Sequence, residues 1–286
     1  VTQTTHNFDS LQDYPRAEWR VIIHREADGP LNMAVDEAIA EAVGEGEVPP
    51  TLRFYAWSPA CLSLGYGQPA ADVDFGRLAD RGWDVVRRLT GGRGILHVDE
   101  LTYSVAAPED DPRVFGGVVE SYRRLSQGLL AGLGRIGAPV NSERADGEAR
   151  KFKGAVCFEM PSDYELTVNG RKLIGSAQTR RRNRVVMQHG ALPLFGDLGR
   201  ICEALAFESE AEREEARRRV LERAITLEEA LGRLVPFSET VQALIEGFGE
   251  ALNLDFTGQD LSEKEKSRAE DLRATTYASA EWTYRH

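Results

Sequence analysis

The chain has 286 residues, 42% hydrophobic and 28% charged, with a formal net charge of −11. That is enough for one large domain, or a domain with a smaller appendage, of soluble globular composition. The acidic balance disfavours a general nucleic-acid binder, no run of about 18 apolar residues offers a membrane span, and the first residues lack the basic-then-apolar pattern of a secretory leader.

In chain order, residues 1–18 are polar and unpatterned and predict a loose arm. Trp19–His24 reads as a strand, and Pro30–Val43 as a helix with Leu31, Val35, Ile39 and Ala42 at helical spacing. Leu52–Trp57 and Cys61–Tyr66 are strands around a Ser-Pro turn, followed by a short helix at Asp74–Arg81. Strands at Asp84–Arg88, Ile95–His97 and Leu101–Ala106 precede a long helix over Val114–Ile136. Further strands are predicted at Ala155–Glu159, Tyr164–Val168, Lys172–Thr179 and Val185–Leu192, with Asn169–Gly170 a hairpin turn. From about Asp197 the pattern is helical, and Thr226-x-x-Glu229 and Ser262-x-x-Glu265 read as capping boxes. The order predicts an α+β fold: mixed, largely antiparallel sheets flanked by helices, with a helical C-terminal segment over 226–286 packed on a catalytic domain over 19–225.

The three cysteines, Cys61, Cys157 and Cys202, are widely spaced and odd in number. They form neither a disulfide framework nor a structural zinc site, and imply a reducing, cytoplasmic setting. Cys61 and Cys202 sit in apolar runs and read as core residues. Cys157, in GAVCFEM, is either an inert core thiol or a nucleophile; the second needs a neighbouring cation to raise its thiolate fraction. Lys172 is such a cation if the two strands are neighbours, and otherwise a strand-end lysine facing solvent. RRLTGGRGILH (87–97) places two glycines after a strand, which bares backbone N–H groups to a ligand or simply makes a tight turn. It is neither a Walker loop nor a dinucleotide fingerprint. His97 and His189 are too isolated to nominate as metal ligands. Between Lys151 and Gly190 eight Lys/Arg face three acids, so this segment carries about +5 and the remainder about −16. It is either a docking surface for an anionic partner or a solvated hairpin.

Taken in order, RFYAWSPACLSLGYGQ, RRLTGGRGILHVDELTYS, GAVCFEMPSDYEL, GRKLIGSAQTR with QHGALPL, and TTYASAEWTYR resemble the biotin/lipoate protein ligase superfamily. Within it they are similar to the octanoyl-acyl-carrier-protein:protein octanoyltransferases of the LipM type. The likeness spans about residues 19–286. It implies Cys157 as nucleophile and Lys172 as the lysine that stabilises thiolate and oxyanion. It also implies acyl and pantetheine contacts at Arg87, Arg88, Thr90, Gly91, Gly92, Arg93, Gly94, His97, Gly175, Ser176, Ala177, His189 and Gly190. The implied reaction takes octanoyl from acyl-carrier protein to Cys157 as a thioester, then to a lysine of the glycine cleavage H protein or another lipoyl domain as an amide. No ATP or metal is expected, and the protein is expected to be a monomer in the cytoplasm. Burying about six methylenes contributes roughly 5 kcal/mol to holding the chain.

Two departures matter. NSERADGEARKFK (141–153) matches no motif, and Arg93 stands where ATP-using ligases often carry glycine. Three rival readings follow from the same residues: an ATP-dependent lipoate ligase, an amidotransferase moving octanoyl or lipoyl from H protein to dehydrogenase subunits, and a non-catalytic acyl-carrier-binding module.

Overall fold

A computed structural model of the protein describes residues 14–143, 165–180 and 183–285. Eleven strands are found among them: β1 (Ala17–Ile23), β2 (Thr51–Tyr55), β3 (Cys61–Leu64), β4 (Asp84–Arg87), β5 (Ile95–His97), β6 (Glu100–Pro108), β7 (Asn141–Glu143), β8 (Glu165–Val168), β9 (Arg171–Arg180), β10 (Val185–Pro193) and β11 (Leu254–Gly258). Eight form one sheet in the order β11-β1-β2-β6-β10-β9-β8-β7; β4-β3-β5 form a second. Only the β11–β1 and β1–β2 pairs of the large sheet are parallel, so the sheet is mixed and largely antiparallel, as expected. The expected strand Ala155–Glu159 lies outside the described residues.

Strand alternation gives the large sheet two apolar faces. One face packs with helix α1 (Gly29–Gly44), which carries Met33, Val35 and Ile39 against Tyr55, Val185 and Met187. On the other face Tyr103, Val105, Ile174 and Leu192 pack against α3 (Val118–Arg135) and α6 (Phe237–Leu252). A third core lies beside the small sheet, where α2 (Phe75–Arg81) and α4 (Glu210–Arg223) contribute Leu78, Ala216 and Val220. The short α5 (Leu227–Leu231), then α7 (Glu263–Leu272), a π-helical turn over Arg273–Tyr277 and α8 (Ala280–Thr283) complete the chain.

The differences from expectation have local causes. Helix α3 starts four residues later than predicted because Gly116 takes a left-handed φ of 89° and the Glu120 carboxylate accepts from the Gly117 amide at 2.7 Å. Asn169 and Gly170 both adopt positive φ, as the Asn-Gly turn requires. The chain beyond Asp197 is not purely helical: Asn253, at φ 52°, ends α6 and turns the chain into β11 on the sheet edge. The expected arm is already packed by Tyr14, which is buried beneath the Arg113 guanidinium and whose carbonyl accepts from Asn253 Nδ2 at 2.8 Å. At Thr226 only half of the capping box closes. The hydroxyl accepts from the Glu229 amide, while the Glu229 carboxylate pairs with Arg171 at 2.7 Å.

The box at Ser262 closes fully and does more. Its Glu265 is buried and chelated by Arg20 on β1, at 2.9 and 2.5 Å, with Arg20 Nε donating to Thr51 Oγ1. Burial pushes the Glu265 carboxyl up, but Arg20 and the Ser262 amide outweigh it and hold it below its ordinary range. A depressed carboxyl stabilises the fold above the unfolded-state value, about pH 4.3, and that contribution is lost as pH falls through the folded value. Urea midpoints measured across the acid range are therefore expected to fall less steeply below about pH 4.3 in Glu265→Gln than in the parent.

Candidate active site

The residues that follow β4 form a loop held by the buried Arg88. Arg88 donates from Nε to Thr90 Oγ1 at 3.1 Å, from Nη1 to the Ser63 carbonyl at 2.9 Å, and from Nη2 to the carbonyls of Gly91 and Arg93 at 2.9 and 2.8 Å. It is the internal frame of the Thr90–Gly94 turn. Gly92 needs its glycine, having φ 97°, and a Cβ on Gly65 would stand 2.0 Å from the Gly92 carbonyl oxygen. Arg87 points elsewhere: it donates to the carbonyls of Gly65 and Gln68 at 2.8 and 2.6 Å and to that of Thr283 at 2.9 Å. Trp282 Nε1 returns a bond to the Arg87 carbonyl at 2.9 Å. Arg87 thus straps the C-terminal segment onto the 65–68 loop. The Arg93 side chain lies 3.7 Å from the Asp72 carboxylate.

Two histidines are built alike, each with a carboxylate on Nδ1 and a hydroxyl on Nε2. His97 Nδ1 bonds Glu100 at 2.5 Å and Nε2 meets Ser63 Oγ at 2.7 Å; its ring stacks on Trp57 at 3.9 Å. Trp57 Nε1 donates to Thr102 Oγ1, which donates to the same Glu100 carboxylate at 2.6 Å. His189 Nδ1 donates to Asp36 at 3.3 Å and Nε2 accepts from Thr90 Oγ1 at 2.7 Å. Asp36, on α1, also accepts from Arg53 at 2.7 Å and Tyr55 at 2.8 Å. Burial drives the His189 imidazole below its ordinary range, with the charges of Arg88 and His97 acting the same way against Asp36, so the ring is neutral at neutral pH. Both chains end on Arg88, which bonds Thr90 and also Ser63 Oγ, the latter at 3.2 Å.

Between the two imidazoles lies a narrow cavity of about 20 Å³. Met33, Tyr55, Trp57, Ile95 and Ala191 give it apolar walls, and Ser63, Arg88, His97, Thr102 and His189 border it with their polar atoms engaged in the bonds just described. Gly175, Ser176 and Ala177 of β9 and Gly190 of β10 border it. A narrow, almost wholly apolar cleft suits an aliphatic chain. The Ser176 hydroxyl is occupied by Tyr103 at 2.8 Å, and a Cβ on Gly190 would stand 2.4 Å from it.

Of the residues expected at the site, Arg88, His97, Gly175, Ser176, Ala177, His189 and Gly190 come together on this cavity, and Thr90 reaches it through His189. Arg87 and Lys172 do not line it. Lys172 is buried, and its ammonium pairs with Glu165 at 3.0 Å. Cys157 lies outside the described residues, as do Lys151, Lys153, Arg181 and Arg182 of the basic segment; the described Arg171 is paired with Glu229. Asp36, Glu100, Ser63, Trp57 and Met33 are cavity or supporting residues that the sequence did not single out. The one signal for Asp36 was its place four residues after Asn32 on an otherwise apolar helix face.

Cys61 and Cys202 are core residues, as expected, each with no exposed surface. Burial, then the Asp84 carboxylate, pushes the Cys61 thiol well above its ordinary range. Alkylation of the folded protein at neutral pH followed by peptide mapping is expected to leave both unmodified, and to reach them only after unfolding.

Residues 28–249 match the lipoyl protein ligase A/B catalytic domain. The chain belongs to this family. It is 43% identical to Octanoyltransferase LipM of Exiguobacterium sibiricum, over 94% of this chain and 99% of that one. With Octanoyltransferase LipM of Kyrpidia tusciae it shares 44%, over 93% and 98%. Among solved structures, a bipartite lipoate protein ligase studied with its E2 lipoyl domain from Thermoplasma acidophilum superposes with a TM-score of 0.78 at 26% identity, covering 94% of this chain and 97% of that chain. The chain has the fold of that ligase and is an acyltransferase of the family.

Proposed function

We propose that this acyltransferase moves octanoyl from octanoyl-acyl-carrier protein to the lipoyl-accepting lysine of a lipoyl domain, with the glycine cleavage H protein as acceptor, in lipoate biosynthesis. The reading is carried by the match to octanoyltransferases along more than nine-tenths of the chain. The cavity supports it, because its apolar walls suit an aliphatic chain.

The chemistry runs in two balanced steps. Cys157 thiolate attacks the thioester carbonyl; the pantetheine thiolate leaves and takes a proton, and the octanoyl group rests on Cys157. The acceptor lysine, as a neutral amine, then attacks the new thioester; an amide forms, Cys157 leaves as thiolate, and the amine's proton is lost to solvent or base. The first step exchanges one thioester for another and the second runs downhill to an amide, so neither calls for ATP or a metal. Lys172 would stabilise the thiolate and the developing oxyanion.

Intact mass spectrometry after mixing the protein with octanoyl-acyl-carrier protein, without ATP, tests the reading. The expected result is a gain of one octanoyl group, mapped to Cys157 and discharged by apo H protein. Absence of the adduct, with octanoylation appearing only when free octanoate and ATP are supplied, would replace the reading with a ligase.

A further inference from the structure

Outside the cavity runs an open groove whose walls include Tyr66, Gly91, Thr179, Arg180, Arg268 and Trp282. It lies farther along the same face of β9, where Ala177 borders the cavity and Thr179 the groove. The Thr90–Gly94 turn separates the two, with Arg88 on the cavity side and Gly91 on the groove side.

Guanidinium donors with no acceptor among the described residues lie in this groove, on Arg180, and against two of its lining rings, on Arg285. Arg285 lies with Cζ 3.5 Å over the Trp282 ring and 4.1 Å over Tyr66, and those rings meet edge-on at 6.1 Å. Its Nε and Nη2 are covered and make no hydrogen bond among the described residues. Arg180 donates from Nη2 to the Val114 carbonyl, yet its Nε is covered and unpaired too. The third guanidinium, Arg268, shows that the groove does not forbid pairing, for it is satisfied by Glu41 and Asp271. Arg87 is driven below its ordinary range by burial and then by the charge of Arg285, so two cations adjoin there. Covered polar groups without partners are rare in folded proteins and call for a reason.

We propose that Arg285, seated on Tyr66 and Trp282, is a phosphate-ester subsite on the lip of the groove that takes the phosphodiester of the carrier's pantetheine arm. This rests on the carrier-borne donor put forward above. Such an arm bears its thioester at one end and a phosphodiester at the other; with the acyl end in the cavity, the groove beside it, walled by Tyr66, would take the rest. The planar guanidinium fork matches phosphate oxygens, and stacking on two rings fixes its plane before the ligand arrives. A nucleotide carries the same ester chemistry, so the test has an arm for each source.

The protein is titrated with pantetheine, 4′-phosphopantetheine and AMP, followed by tryptophan fluorescence, because Trp282 carries the guanidinium. The parent is expected to bind phosphopantetheine about tenfold tighter than pantetheine, the scale of one charge-assisted bond. In Arg285→Gln that ratio is expected to fall to about one, and in Arg285→Lys, which keeps the charge without the fork, to lie between; the lysine variant is read alone if the glutamine variant does not fold. A parent ratio near one, or a ratio that survives Arg285→Gln, overturns the subsite. Dependence on Arg285 seen with AMP and not with phosphopantetheine also overturns it, in favour of a nucleotide site. The ratio needs no turnover, so its failure is separable from failure of the octanoyl transfer itself, which is read from the Cys157 adduct.

Discussion

A Cys157→Ala variant is expected to lose octanoyl transfer by about 10³-fold or more, whereas Cys61→Ala and Cys202→Ala keep their turnover and lose stability. A cysteine nucleophile must be reachable and must ionise readily. Cys61 is neither: it is packed with Met33 and Val86 at the start of α1, where a Cβ on Gly29 would stand 2.5 Å from its sulfur, and its thiol is pushed well above the ordinary range. Cys202 is enclosed in the third core with Leu205 and Val220. Both alanine variants leave small voids in close-packed surroundings, and a lowered melting temperature is their expected signature. Single-turnover transfer from octanoyl-acyl-carrier protein, measured beside thermal melts of all three variants, separates the cases. If Cys157→Ala keeps its rate within tenfold of the parent, the covalent route is wrong.

The legible part of this site was the part written in contiguous blocks. RRLTGGRG announced a turn where backbone approaches backbone, and Gly92 and Arg88 carry that meaning in the fold. The GSAQ and QHG blocks fell on neighbouring antiparallel strands, so His189 stands opposite Ala177 and Gly190 opposite Ser176. What the sequence hid is what arrives from elsewhere in the chain. Asp36 is one carboxylate on a helix that reads as ordinarily amphipathic, and only the sheet beneath it brings Arg53, Tyr55 and His189 to its oxygens. Glu100 follows His97 by three residues across a bend at Asp99, which has φ 54°, and the pairing is invisible without that bend. Arg87 shows the converse. It shares a block with ligand-facing residues, but β4 ends on it and turns its guanidinium to the carbonyls of the C-terminal segment. Strand β11 was lost because five residues between two helices carry too little alternation to register.

Asp36→Ala is expected to lower the melting temperature by on the order of 10 °C. The carboxylate and the Arg53 guanidinium are both fully enclosed and lie 2.7 Å apart. Burial works to raise the Asp36 carboxyl, and Arg53, His189 and Tyr55 together hold it below the ordinary range, so it is ionised at neutral pH. Removing it strands a cation that cannot reach water, at a cost of about 3–5 kcal/mol. Arg53 keeps its bonds to Asn32 Oδ1 and the Asn32 carbonyl, at 2.9 and 3.1 Å, which is why a cooperative fold is still expected. Asp36→Asn is the informative companion. It keeps the shape and its one oxygen can still accept from Arg53, but it turns an amide NH2 to Tyr55 and His189, which share the other carboxylate oxygen in the parent. The imidazole must then present Nε2–H to Thr90, whose hydroxyl already accepts from Arg88. Thr90 would lose its own acceptor, and the turn that it anchors between cavity and groove would loosen. Asp36→Asn is therefore expected to cost less stability than Asp36→Ala and yet to slow octanoyl transfer clearly. Melts and single-turnover rates on the two variants decide it: equal melting temperatures would remove the buried cation from the account, and an unimpaired asparagine variant would remove the His189–Thr90 link from the site.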